Sequence, residues 1–192
     1  MSEIRALRKP RPMGVSRAAS RSSILDAARR VAARDGARDL SLRAVAAEAG
    51  FAPAALYGYF TGKDELLLAL AAEDLSQLSR VMKGASGFKG AASAALALLG
   101  DTETFAAASA ALPREGGHGE AERLFNGRMI AALRALSEAG GMPSDSRESQ
   151  CDVVLLAAAL SGLALFARSG RLAALGFKTE EILARLDDLF IQ

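Results

Sequence analysis

Apolar residues return at three- and four-residue intervals in one segment after another of this 192-residue chain. Ile24, Leu25, Ala28, Val31 and Ala32 form one such stripe, and Leu42, Val45, Ala46 and Ala49 form the next. That spacing places side chains on one face of an α-helix. Gly36 ends the first segment, while Ser41 opens the second as an N-cap and Gly50 closes it. Pro53 suits the first turn of a third, short helix through Ala54, Ala55, Leu56 and Tyr57. A fourth is expected from Thr61, where Thr61 and Asp64 fit a capping pattern, towards Met82. Further helices are expected over Phe88–Leu99, Thr102–Leu112, Glu120–Ala139, Ser146–Ser169 and Thr179–Phe190. Leu124, Ile130, Leu133 and Leu136 make the stripe of the Glu120–Ala139 helix. Composition agrees: 42 Ala and 28 Leu fill 70 positions, whereas Val, Ile and Thr together number 15. Ala and Leu favour helices, and strands need the β-branched residues that are scarce here. The fold class is all-α, with about nine helices.

Several function classes drop out. No stretch reaches the ~18 uninterrupted apolar residues of a membrane span, since Val153–Ala167 is broken by Ser161 and Gly162. The N-terminus is basic but has no apolar signal-peptide core. A single cysteine, Cys151, precludes an internal disulfide and fits a reducing cytoplasm. With one histidine, His118, little is left for a zinc site or a Cys–His dyad, so no metal or cofactor is expected. Asp187 and Asp188 point apart on a helix, Glu180 and Glu181 sit at a helix N-terminus, and Glu181 is spaced to pair with Arg185. None of these makes a catalytic constellation, so no enzyme is expected.

The formal charge of +2 conceals an asymmetry. Residues 1–63 carry twelve Lys/Arg against five acids, +7, and the rest carries twelve against seventeen, −5. A basic first third suggests a polyanionic partner. Residues 1–20 are expected to be a basic flexible arm, with Pro10, Pro12 and Gly14 opposing a helix there. The arm is either a solvated tail or a DNA-contacting segment.

Residues 41–60 pattern as short helix, glycine turn, short helix, with apolar Phe51 in the turn. That is the helix-turn-helix arrangement, whose second helix enters the major groove while the first braces it. Both tyrosines, Tyr57 and Tyr59, stand within three residues at the end of the second helix. A tyrosine hydroxyl can donate to a phosphate while its ring packs on protein. Lys63 lies in the first turn of the next helix, where the dipole disfavours a cation unless an anion binds alongside. The bland alternative leaves Tyr57 half in the core and Lys63 on a solvated surface.

Leu40-Ser41-Leu42-Arg43-Ala44-Val45-Ala46-Ala47-Glu48-Ala49-Gly50-Phe51 and then Leu56-Tyr57-Gly58-Tyr59-Phe60-Thr61-Gly62-Lys63-Asp64-Glu65-Leu66-Leu67 resemble the TetR/AcrR family of bacterial transcriptional regulators. The resemblance covers roughly residues 22–68. It implies an N-terminal three-helix DNA-binding head over 21–66 and a helical ligand-binding and dimerisation domain over 67–192. It also implies a homodimer that reads a near-palindromic operator and releases it when a small molecule binds. Tyr57, Tyr59 and Lys63 match the family's phosphate contacts, and Ser41 its capping residue. The expected DNA-facing set is Arg17, Arg21, Ser41, Arg43, Ala52, Pro53, Ala54, Ala55, Tyr57, Tyr59 and Lys63. Two departures stand out: Ala52 replaces the Ser or Thr that often opens the recognition helix, and Ala52–Ala55 and Gly58 carry no side-chain hydrogen bonding. Specificity is therefore expected from thymine-methyl contacts, Arg43, the arm and DNA shape.

Helix 146–169 is apolar nearly all round from Val153 onward, so something must cover each side. With helix 179–190 it is expected to form an isologous four-helix dimer interface; the alternative is the central core helix of a monomer. The resemblance places Phe105, Phe125, Met129 and Leu133 near a ligand cavity, with Thr104 or Asn126 as polar contacts. With no Trp and no Tyr in the body, an apolar effector is favoured over a stacked planar one. Two other functions fit the same residues: a ligand-independent DNA-binding protein of this fold, and a helical small-molecule binder with a vestigial head.

Overall fold

A computed structural model describes residues 17–101, 107, 119–142 and 145–191. The helices expected over Phe88–Leu99, Glu120–Ala139, Ser146–Ser169 and Thr179–Phe190 are present, and those described are α1 (Arg17–Asp35), α2 (Leu42–Ala49), α3 (Pro53–Leu56), α4 (Lys63–Lys83), α5 (Gly87–Asp101), α6 (Glu120–Gly140), α7 (Arg147–Arg168), α8 (Arg171–Ala174) and α9 (Thr179–Phe190). No strand occurs among the described residues. Of the expected Thr102–Leu112 helix only Ala107, helical, is described; Thr104, Phe105, His118 and arm residues 1–16 lie outside the described residues. Helix α1 already begins at Arg17, four residues inside the expected arm.

The head forms as its spacing indicates. Ile24, Ala28 and Val31 of α1 are wholly buried against Val45 and Ala46 of α2, Leu56 of α3 and Phe60. A charged clasp closes the outside of the α1–α2 pair. Glu48 takes Arg30 Nε at 2.7 Å and an Arg34 Nη at 3.3 Å, and Arg34 also holds Asp35 at 2.9 Å. Hydrogen bonds from Arg30 and then Arg34 hold the Glu48 carboxyl below the usual carboxylate range, and Arg34 does the same for Asp35. Such depressed carboxylates stabilise the fold above the unfolded-state pKa near ~4, and the effect is lost as pH falls through the lower folded values. The Glu48→Gln variant is therefore expected to melt below the wild type at neutral pH, with the gap closing as pH falls through the lowered Glu48 value. Parallel melting curves with a constant gap would contradict the clasp.

Helix α4 carries the chain from head to body, through the expected boundary at 66/67. Leu66 through Ala72 are buried without a break, followed by Asp74, Leu75, Leu78, Ser79 and Met82. It packs along α6 and also touches α1 and α5. Its start differs from expectation. Gly62 is the N-cap, and Glu65 rather than Asp64 reaches back, accepting from the Thr61 N–H at 2.7 Å and its hydroxyl at 2.6 Å. Asp74 is buried and accepts from Arg29 Nη2 at 3.1 Å, with Glu73 on the same nitrogen at 3.1 Å, tying α1 to α4. Partial burial pushes the Arg29 guanidinium down, but Asp74 and then Glu73 outweigh it and hold it above its ordinary value.

In the body three expectations change. Helix α6 buries Ala121, Phe125, Ala132, Ala135 and Leu136, while Leu124 and Ile130 are exposed. The supposed stripe was one of several phases that an alanine-rich helix can accommodate. Glu181 does not pair with Arg185. It caps α9 by accepting the Lys178 N–H at 2.7 Å, and Arg185 lies 3.9 Å from Asp188. Helix α7 is, by length and composition, apolar enough to cross a membrane, with a mean hydropathy of 1.9 and 28% of that window buried. Counting only uninterrupted apolar residues hid it, because Ser161 and Gly162 interrupt the run without making it polar; Ser161 satisfies its hydroxyl on the Ala157 carbonyl at 2.8 Å.

Candidate DNA-binding interface

The site is built on α2, its turn and α3. The Ser41 hydroxyl accepts from the Ala44 N–H at 3.2 Å, starting α2 with a side-chain cap. At the other end Gly50 takes φ 71°, the Phe51 N–H reaches the Ala46 carbonyl at 2.9 Å, and the Gly50 N–H reaches that of Ala47 at 3.3 Å. This is the paired-bond glycine cap that lets a helix stop and turn sharply. Ala52 caps α3 with no side-chain hydrogen bond, and Pro53 starts it. The helix is four residues long and buries only Leu56.

The remaining face is open. Ala52, Pro53, Ala54, Ala55, Tyr57 and Gly58 are exposed, Tyr57 by 62%. Arg43 on α2 is exposed on the same head. Tyr59 is half-buried, and Phe60 beneath it belongs to the core. Ser41 acts within the structure as a cap, while its residue remains exposed. Arg21 is engaged with the head itself, its guanidinium 4.5 Å over the Phe60 ring and a nitrogen 3.4 Å from the Tyr59 carbonyl. It braces the tyrosine segment from α1. Lys63 is half-buried and donates to the Arg38 carbonyl. That partner was missed at the sequence level, because nothing local links positions 38 and 63. The acceptor gives the cation in the first turn of α4 a partner within the head. Arg17 lies at the start of α1, and its side chain is outside the described residues.

The body holds a cavity of about 60 Å³ between α4, α5, α6 and α7. Leu78, Met82, Leu99, Met129, Leu133 and Leu160 are among its walls, with Ser161 as the polar member. Met129 and Leu133, two of the residues expected near a ligand, are among these walls. Phe125 is not among the walls and is 2% exposed in the core, and Asn126 is exposed. Among the described residues, no group of three or more His, Cys, Asp or Glu is placed to hold a metal.

Residues 24–70 match the family model of bacterial regulatory proteins of the tetR family, over the head and the start of α4. Over these residues the chain is similar to the tetR family. It is 48% identical over 68 residues to the nicotine-responsive transcriptional repressor HdnoR of Paenarthrobacter nicotinovorans, covering 35% of each chain. It is 37% identical over 67 residues to the regulator BetI of Brucella anthropi, covering 35% of this chain and 34% of that one. The chain thus matches about a third of the length of these curated relatives. Solved structures carry the likeness through the body as fold. A transcriptional regulator from a Rhodococcus species superposes with TM-score 0.65 at 23% identity over 90% of this chain and 96% of that one. The regulator FadR of Bacillus subtilis, in complex with stearoyl-CoA, superposes with TM-score 0.59 at 17% identity over 89% and 97%.

Proposed function

We propose that this chain is a transcriptional repressor that binds a near-palindromic DNA operator as a homodimer and is regulated by a small apolar ligand. The observation that carries this is the exposed α3 face, flanked by Tyr57 and Arg43, on a head that matches the family over residues 24–70. Dimerisation gives a use to the uncovered side of α7, where Val154, Leu155, Leu165 and Phe166 are 42–58% exposed. Two copies of that face, with Leu189 of α9 exposed by 54%, fit an isologous four-helix contact. The same cover accounts for α7 without a membrane.

An apolar effector follows from the cavity walls, where a lone serine already spends its hydroxyl on its own helix. HdnoR is nicotine-responsive and FadR binds stearoyl-CoA, so ligand control exists among the proteins this chain resembles. The small size of the cavity favours one second reading, a ligand-independent DNA-binding protein of the same fold.

Specificity rests on contacts other than side-chain hydrogen bonds from α3, because Ala52–Ala55 offer methyls and a proline ring. Basic residues 1–16 then supply a large share of the phosphate and minor-groove contacts. Deleting them is expected to weaken operator binding and to flatten the plot of log affinity against log salt by several units. Fluorescence anisotropy over a salt series measures both, and an unchanged slope would remove the arm from the interface.

A further inference from the structure

We infer a second ligand site, for a small polyanion, in a surface cleft of about 610 Å³ where α1, α4 and α6 meet. Four cations, Arg29, Arg80, Lys83 and Arg128, line it against one carboxylate, Glu73, which Arg29 already holds, with Ser76 and Gln77 between them. Arg29 is already engaged by Asp74 and Glu73, each at 3.1 Å. Arg80 and Arg128 have no carboxylate within ion-pair distance among the described residues, and Lys83 has Glu138 only at 4.0 Å. Two uncommitted guanidiniums and a weakly paired ammonium thus converge on one concavity, in a half of the chain that is otherwise acidic. Like charges gathered around a cleft raise its potential and select an anion. Guanidiniums also present paired donors that match phosphoryl or carboxylate oxygens. The volume falls in the range of small-molecule sites, ~300–1,000 Å³.

This cleft is distinct from the apolar cavity. Leu75, Leu78 and Met82 of α4 face the cavity, whereas Glu73, Ser76, Gln77 and Arg80 face the cleft. At 100° per residue these two sets lie on opposite sides of the helix, so one amphipathic ligand cannot fill both. The cleft is also remote from the DNA face: Arg80 is seventeen residues beyond Lys63 on α4, about 25 Å along the axis at 1.5 Å per residue. A small molecule with two or more negative charges, phosphorylated or polycarboxylate, suits it better than a nucleic acid. Its place beside Arg29 matters because Arg29 ties α1 of the head to α4, so an anion seated there bears on the head–body joint.

The test uses the full chain, with pyrophosphate and citrate as the two probes in low salt. Pyrophosphate, citrate or both should raise the thermal midpoint by about 3–5 °C at some tenfold above Kd. A rise with only one of them tells a phosphorylated ligand from a polycarboxylate. The double variant Arg80→Gln/Arg128→Gln should lose that rise. A charge-matched double variant elsewhere, Arg134→Gln/Arg147→Gln, should keep it; all four side chains belong to exposed residues, and circular dichroism verifies the folds. No rise with either anion, or an equal rise in both double variants, would overturn the site. So would loss of duplex DNA binding confined to Arg80→Gln/Arg128→Gln, which would make the flank a nucleic-acid contact. None of these outcomes depends on the apolar effector or on the dimer interface.

Discussion

Replacing Leu155 by Glu is expected to split the homodimer and cut operator affinity by about 10²–10³-fold, while leaving each subunit folded. Leu155 is 58% exposed on the single chain, so the charge enters water there and costs the subunit little. In the proposed dimer the same position lies on the α7 stripe of Val154, Leu155, Ala158, Ser161 and Leu165, all exposed residues. Small residues among large ones let a partner helix approach closely, and two-fold symmetry brings each introduced carboxylate in twice. Burying an unpaired charge costs several kcal/mol, enough to dissociate the pair. A monomer then holds one half-site at a time and forfeits the avidity of two linked heads, worth about 10²–10⁴. Analytical ultracentrifugation and anisotropy on the same preparations report mass and affinity together. A dimeric Leu155→Glu variant with full affinity would place the interface elsewhere.

Leu56→Ala is expected to abolish measurable operator binding at 37 °C without changing the oligomeric state. Helix α3 is four residues long, far below the ~12–15 residues at which an isolated helix becomes marginally stable. Leu56 is its only buried side chain, wholly enclosed, and α3 is otherwise held by the Phe51 turn and by Phe60. Cutting a buried leucine back to alanine costs about 2–5 kcal/mol, a large share of what a three-helix head can supply. The head should lose its arrangement while α5–α9 keep theirs, giving an early partial transition in thermal unfolding monitored by circular dichroism. Ala55→Ser, one position earlier and exposed, is the control that should keep the head folded. A Leu56→Ala protein that binds DNA like the wild type would mean that α3 does not carry the contact surface.

The head was legible where structure is local. Ser41, Gly50 and Pro53 act within four residues of themselves, and each performs its expected cap, turn or helix start. Long-range partners were not legible. The Lys63 ammonium on the Arg38 carbonyl and the Arg21 guanidinium on the Phe60 ring span 25 and 39 positions, and both turn expected DNA contacts into internal braces as well. In the body, alanine blurs the signal. Ala121, Ala132 and Ala135 make the buried face of α6 as much as Phe125 and Leu136 do, so ranking by large residues found Leu136 but also took in the exposed Leu124 and Ile130. Helix α8 went unanticipated because four residues are too few to show a period. Only Leu172 anchors it. Of the residues expected near a ligand, Met129 and Leu133 line the cavity between α4 and α7, and the resemblance rather than any local signal pointed to them.

The alanine that fills these helices also shapes the claim about DNA. It leaves Ala52–Ala55 of the α3 segment without hydrogen-bonding side chains, which is why the proposed reading rests affinity on phosphates, tyrosines and the arm. Nuclease footprinting on DNA from the region upstream of the chain's own gene tests that claim most directly. A dimeric TetR/AcrR regulator gives one protected near-palindromic stretch, saturating at two chains per site and lost in both Leu56→Ala and Leu155→Glu. No protection at low salt, or protection that survives in Leu56→Ala, would contradict it.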